Sequence, residues 1–259
     1  MMTLPSLFVS HGAPMLIHHP GPDHHFLKQL GSELERPNTI LYVTAHWETD
    51  RPYISGSPAS DAFHTGGFSP EILQLRYPAP GDPALATKIA DLLTKSGLEC
   101  EIHPERGLDR GTWIPLMLIY PDASIPVIQL SVQPLQSPRY HLELGRQLEP
   151  LRQAGVLIVG SGSATHSLTD MTREPNDQAA PDWVVKFDQW LQTIVINNQV
   201  DVLLNYRRAA PHVERNHPTH EHLLPLFVAL GAGGADIKPR LIHSSYTYGV
   251  LSMAAFAFD

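Results

Sequence analysis

Leu4-Pro5-Ser6-Leu7-Phe8-Val9-Ser10-His11-Gly12-Ala13-Pro14 is the stretch whose reading decides the fold. The apolar run Leu7-Phe8-Val9 fits a buried strand, and Gly12-Ala13-Pro14 cannot continue it, so His11 falls at the strand's carboxyl end. The phrase recurs twice. Ile40-Leu41-Tyr42-Val43 leads through Thr44-Ala45 to His46-Trp47, and Val156-Leu157-Ile158-Val159 leads through a turn of small residues to His166. Strands buried on both faces of a parallel sheet read as continuous apolar runs, and such sheets bind ligands beyond their strands' carboxyl ends. The expectation is an α/β fold in which three separate strands aim histidines at one edge.

Composition narrows the function. The chain has 259 residues, enough for one large domain, taken here as 1–259. With 18 basic against 26 acidic residues, its net charge is -8, and no basic run is present to follow a phosphate backbone. Nucleic acid is therefore not an expected partner. The single cysteine excludes an internal disulfide and any paired-cysteine metal site. No segment approaches the length of a membrane span, and the N-terminus lacks a charged leader, so no membrane partner and a cytoplasmic location are expected. The 15 histidines need explaining, since histidine is the commonest metal ligand.

Between the histidine phrases, helical spacing predicts crossovers at residues 26–34, 83–96 and 138–154, the last kinked at Pro150. A further amphipathic helix begins at Asp182, and another near Thr219, which would place Glu221 and His222 in its first turn. The His-rich stretch 18–25 reads as a surface loop, residues 52–80 as a long functional loop, and residues 105–113 as a polar loop. Residues 245–258 are apolar enough for a last buried strand.

Other motifs carry less. Gly160-Ser161-Gly162 lacks the third glycine of a dinucleotide fingerprint, and no G-x-S-x-G elbow frames Ser161 or Ser163, although either serine near His166 suggests a hydrolase. His220-Glu221-His222 lacks the spacing of H-E-x-x-H. What survives is one metal ion held by His11, His46 and a group from residues 220–222. An imidazole-rich site without thiolate suits non-haem Fe(II) or Zn(II).

The sequence resembles the 4,5-DOPA extradiol dioxygenase family, within the class III extradiol ring-cleaving dioxygenases. The matching pieces are S-H-G-A-P at 10–14, T-A-H-W at 44–47, G-G-F at 66–68, Y-P-A-P-G at 77–81, D-R-G-T-W at 109–113, the His166 segment and E-H-L-L-P-L at 221–226. They keep the family order over nearly the whole chain. The resemblance implies a three-layer α/β/α sandwich around a mostly parallel mixed sheet. It implies that His11, His46 and His222 bind a metal, with Fe(II) the working ion and Zn(II) an alternative occupant of the isolated protein. His166 would stand beside the metal as acid/base, or join it as a fourth ligand when substrate is absent. Distant relatives use a glutamate as third protein ligand, which keeps Glu221 as an alternative to His222. The substrates implied are a small aromatic diol and O2, with both oxygen atoms inserted into a catechol such as DOPA or a related carboxylated catechol.

One position departs from the family. Arg110 stands where family members commonly have histidine, and arginine cannot act as a neutral base, although it can clamp a carboxylate bidentately. Two other classes remain open at this point: a zinc-dependent amidase or peptidase on a similar fold, and a non-catalytic metal-binding protein.

Overall fold

The computed structural model describes residues 3–62, 70–174 and 179–259. The Gly66-Gly67-Phe68 motif lies outside the described residues. In chain order the main sheet takes β1 (Ser6–Ser10), β2 (Thr39–Glu48), β3 (Tyr53–Ser55), β4 (Glu101–His103), β5 (Val127–Val132), β6 (Val156–Gly162), β7 (Pro239–His243) and β8 (Ala255–Phe258). The main helices are α1 (Pro22–Glu33), α2 (Pro83–Lys95), α3 (Arg110–Ile119), α4 (Pro138–Leu148), α5 (Asp182–Ile196) and α6 (Leu224–Ala232).

Strand order is β4-β3-β5-β2-β6-β1-β8-β7. The central four, β5-β2-β6-β1, run parallel, while β3 pairs antiparallel with β5, and β8 antiparallel with both β1 and β7. The three strands that carry the histidine phrases are immediate neighbours in the order β2-β6-β1, so their carboxyl ends open on one edge.

Both sheet faces are covered, which is why the strands read as unbroken apolar runs. Phe8, Leu41, Val43 and Ile158 face the layer of α2, α4, α5 and α6. Their chain neighbours Leu7, Val9, Ile40, Tyr42, Leu157 and Val159 face α1 and α3 on the other side. Alternation of side chains across a strand places each residue in one core or the other, and both cores are apolar. The architecture is the expected three-layer sandwich with a mostly parallel mixed sheet.

Several local expectations are corrected. The second half of the His-rich stretch is helical, not loop: Gly21 precedes Pro22 at the first position of α1, so His24 and His25 lie in its first turn. Each bonds back through Nδ1, His24 to the Leu16 carbonyl and His25 to the Gly21 carbonyl, both at 2.8 Å. His24 is buried. Residues 105–113 are only partly loop, because the Asp109 side chain accepts from the Gly111 amide and caps α3, whose Trp113 is buried in the core. Residues 138–154 divide into α4 and a 3-10 turn over Glu149–Arg152 that has Pro150 near its start. Helix α6 starts at Leu224, so His222 belongs to the turn before the helix. Residues 52–80 contribute β3 to the main sheet and a short helix, Pro70–Gln74. Residues 245–258 break into a small hairpin and β8, joined by the edge strand β7, which the sequence reading did not find.

Candidate active site

The sheet edge brings His11 and His46 together, and the turn before α6 adds His222. Close packing of α6 on the sheet fixes that turn. A side chain at Gly162 would place its Cβ 2.0 Å from the His222 carbonyl oxygen, and the Ser163 amide donates to that same oxygen at 2.9 Å. The backbone of His222 is thereby locked against the end of β6.

The three rings form a triangle, with centroid separations of 4.5 Å for His11–His46, 5.4 Å for His11–His222 and 5.1 Å for His46–His222. One ligating atom from each falls within 4.8 Å of the others. Nε2 of His46 lies 3.2 Å from Nε2 of His222. His11 and His222 are each 5% exposed, too little for water to solvate two protonated rings side by side. Burial, with the neighbouring imidazoles adding to it, pushes His11 well below its ordinary pKa. Burial likewise pushes His222 down, against the pull of Glu221. Three imidazoles converging on one point are a donor set suited to a divalent metal of intermediate softness, so the residues fit the metal that the resemblance implies.

His166 lies beside this triangle. Its ring stacks on His222 with centroids 3.4 Å apart, and its Nδ1 is 4.0 Å from Glu221 Oε1. Its ligating atom groups with Glu221 and His222 instead of with all three members of the trio. Burial lowers its pKa to about 4 despite the nearby Glu221 carboxylate, which works in the opposite direction. The turn that presents His166 is held residue by residue. Ser163 Oγ donates to the Thr165 carbonyl, the Ala164 amide donates to Ser10 Oγ, and the His166 amide donates to the Asn216 carbonyl.

Glu221 is not grouped with His11 and His46; its Oε1 lies 2.8 Å from Nδ1 of His222 and 2.9 Å from the donor Thr219 Oγ1. Ser161, considered from sequence as a nucleophile, is fully buried, and its hydroxyl donates to the Gly111 carbonyl at 2.5 Å. It has no path to a substrate.

Two lobes of a cleft meet at the trio and share His46, Arg110, His166, Leu168 and His222. One, about 250 Å³, is walled by Ala13, Met171 and Leu251 and is the more apolar. The other, about 490 Å³, is lined by Glu48, Arg106, Asp109 and Glu221. Glu48 follows His46 by two positions in the same strand and therefore shares its face, a placement that strand periodicity alone could have found. Arg110, half-buried, opens α3 at the wall common to both lobes.

Gly111 makes the arrangement fit. A Cβ there would lie 2.9 Å from His46 Nδ1, 3.1 Å from Thr44 Oγ1 and 3.2 Å from His11 Nδ1. Gly111→Ala is expected to displace both rings and weaken metal binding by at least about tenfold while the fold is retained. Chelator competition beside a thermal melt measures both quantities, and unchanged affinity would refute the role given to this clearance.

Comparison with known proteins identifies the family. Residues 5–259 match the family described as the catalytic LigB subunit of aromatic ring-opening dioxygenase. A 4,5-DOPA dioxygenase extradiol from Beta vulgaris is 42% identical over 258 residues, covering 98% of this chain and 96% of the relative. A protein of the same description from Escherichia coli K12 is 34% identical, covering 96% and 93%. The crystal structure of an uncharacterized protein from Escherichia coli K12 superposes with a TM-score of 0.83 at 29% identity, over 99% of this chain and all of that one.

Proposed function

The chain belongs to the family of the catalytic LigB subunit of aromatic ring-opening dioxygenases and is an extradiol dioxygenase, and from that premise we propose that it cleaves a catechol bearing a carboxylate, with Fe(II) as its working metal. DOPA, the catechol in the name of its relatives from Beta vulgaris and Escherichia coli, is one such compound. The observation that carries this reading is the triangle of three imidazoles at the junction of an apolar and a charged lobe.

His11, His46 and His222 would hold the metal. When bound, it supplies the redox-capable, electron-withdrawing centre at which a catechol and O2 are brought together. Iron is favoured over zinc because zinc has no redox chemistry to offer O2. The protein's own residues do the remaining work. His166, neutral at pH 7, takes a proton from a catechol hydroxyl and returns one as the ring opens. The apolar side chains of Met171 and Leu251 pack on the ring and exclude water. The Arg110 guanidinium, charged at any working pH, pairs with the substrate carboxylate across the shared wall. The chain would act as a single catalytic domain over residues 1–259, in a reducing compartment such as the cytoplasm. Among the described residues, no helix is long and apolar enough to cross a membrane.

The test is anaerobic loading with Fe(II), followed by oxygen uptake with a panel of catechols with and without a carboxylate. One O2 consumed per catechol opened is the expected stoichiometry, and uptake with none of the panel would refute the reading. Arg110→Gln should raise KM for carboxylated catechols by about 10- to 100-fold, the worth of a charged hydrogen-bonding pair, and leave uncharged catechols unaffected. Equal effects on both sets would remove Arg110 from substrate recognition.

A further inference from the structure

Each imidazole of the trio turns its Nδ1 toward a different side chain. His11 Nδ1 lies 3.1 Å from Ser161 Oγ. The Ser161 hydroxyl proton is committed to the Gly111 carbonyl, so toward His11 the serine oxygen can only accept, and Nδ1 must carry the hydrogen. His222 Nδ1 lies 2.8 Å from Glu221 Oε1, a carboxylate that likewise only accepts. His46 Nδ1 is buried without a hydrogen-bond partner and faces Asp109 Oδ1 across 3.7 Å. That distance is longer than a hydrogen bond but still places negative charge opposite this nitrogen.

Asp109 is itself held by several donors. Thr44 Oγ1 and the Gly111 amide donate to Oδ1 at 2.9 and 3.0 Å, and Gln129 Nε2 donates to Oδ2 at 2.7 Å. Gln129 is fully buried on β5, and its Nε2 also bonds Thr112 Oγ1 at 2.8 Å.

We propose that Ser161, Asp109 and Glu221 are positioning residues of the metal centre, Ser161 and Glu221 accepting a hydrogen bond from Nδ1 of His11 and of His222 and Asp109 setting its negative charge opposite Nδ1 of His46, so that all three rings present Nε2 to a common cation. The assignment rests on the reading that the trio binds metal. Nε2 of His46 and Nε2 of His222 lie 3.2 Å apart, close enough for both to ligate one cation. The assignment also gives Glu221 a distinct part: standing behind His222, it supports that ligand and does not replace it.

The experiment compares the full-length wild type with Ser161→Ala, Asp109→Asn and Glu221→Gln. Zinc affinity is measured by chelator competition, and ring tautomers are read from two-bond 15N–1H correlations of the zinc-bound protein. Each variant is expected to bind zinc about 10- to 100-fold more weakly than wild type. In the wild type all three imidazoles should be metallated at Nε2 and protonated at Nδ1. Wild-type affinity in all three variants, or coordination of any of the three rings through Nδ1, overturns the assignment. The tautomer reading on wild type alone decides the matter if a variant fails to fold. A wild type that binds no zinc overturns the metal reading and this assignment with it, whereas tight wild-type binding with unaltered variants overturns the assignment alone.

Discussion

Replacing His222 by alanine is expected to strip the metal from the protein and abolish ring cleavage. Two imidazoles without the third leave a buried cation short of donors. A metal centre supplies several kcal/mol of charge stabilisation, so turnover should fall by at least about a thousandfold. His220→Ala is the matched control. It lies two residues away, but its Nδ1 is taken by Tyr206 Oη at 2.9 Å, on the other side of the turn. That variant should keep its metal and its activity. Metal content and oxygen uptake on the two purified variants settle the comparison, and a His222→Ala protein with stoichiometric metal and normal turnover would remove His222 from the centre.

His166→Ala is expected to separate chemistry from metal binding. A positioned general acid/base contributes about 10²- to 10⁴-fold, so kcat should fall by that factor while the metal is retained. The pH dependence has a definite sign. Burial lowers the His166 pKa to about 4, so the ring is unprotonated at neutral pH and loses its basic form only as pH falls toward that value. Wild-type kcat should therefore hold steady from neutrality down through the ordinary histidine range near pH 6.5. His166→Ala should show low turnover without that acid limb. Undiminished kcat in the variant would assign the proton transfer elsewhere.

The central fold was legible because its physics is periodic. Leu7, Phe8 and Val9 meet apolar layers on both sides, so the run carries no polar interruption to disguise it, and the glycine and proline after His11 mark where it ends. The rest was hidden for identifiable reasons. Helix α3 begins with Asp109-Arg110-Gly111 and contains Pro115, so its first turn looks like loop and its interior like a break. The edge strand β7 is half-exposed, and Pro239-Arg240 at its start gives no clean alternation. At the candidate site, the sequence brought His11, His46 and His166 to one sheet edge but could not choose between Glu221 and His222, which are adjacent. Only the turn geometry shows Oε1 of Glu221 lying behind the imidazole of His222. Asp109 and Ser161 were within quoted motifs, yet the bonds from Asp109 to Thr44 and from Ser161 to His11 and Gly111 span dozens of residues, and no local pattern encodes such contacts.

The position of β1 has a consequence for biosynthesis. Its partners are β6 and β8, so Ser6 lies opposite Ile158 on one side and Phe258 on the other. During translation the first imidazole-bearing segment leaves the ribosome long before either flanking segment exists, and His222 emerges later than both other members of the trio. Cation capture by all three imidazoles therefore waits until residue 222 has been made.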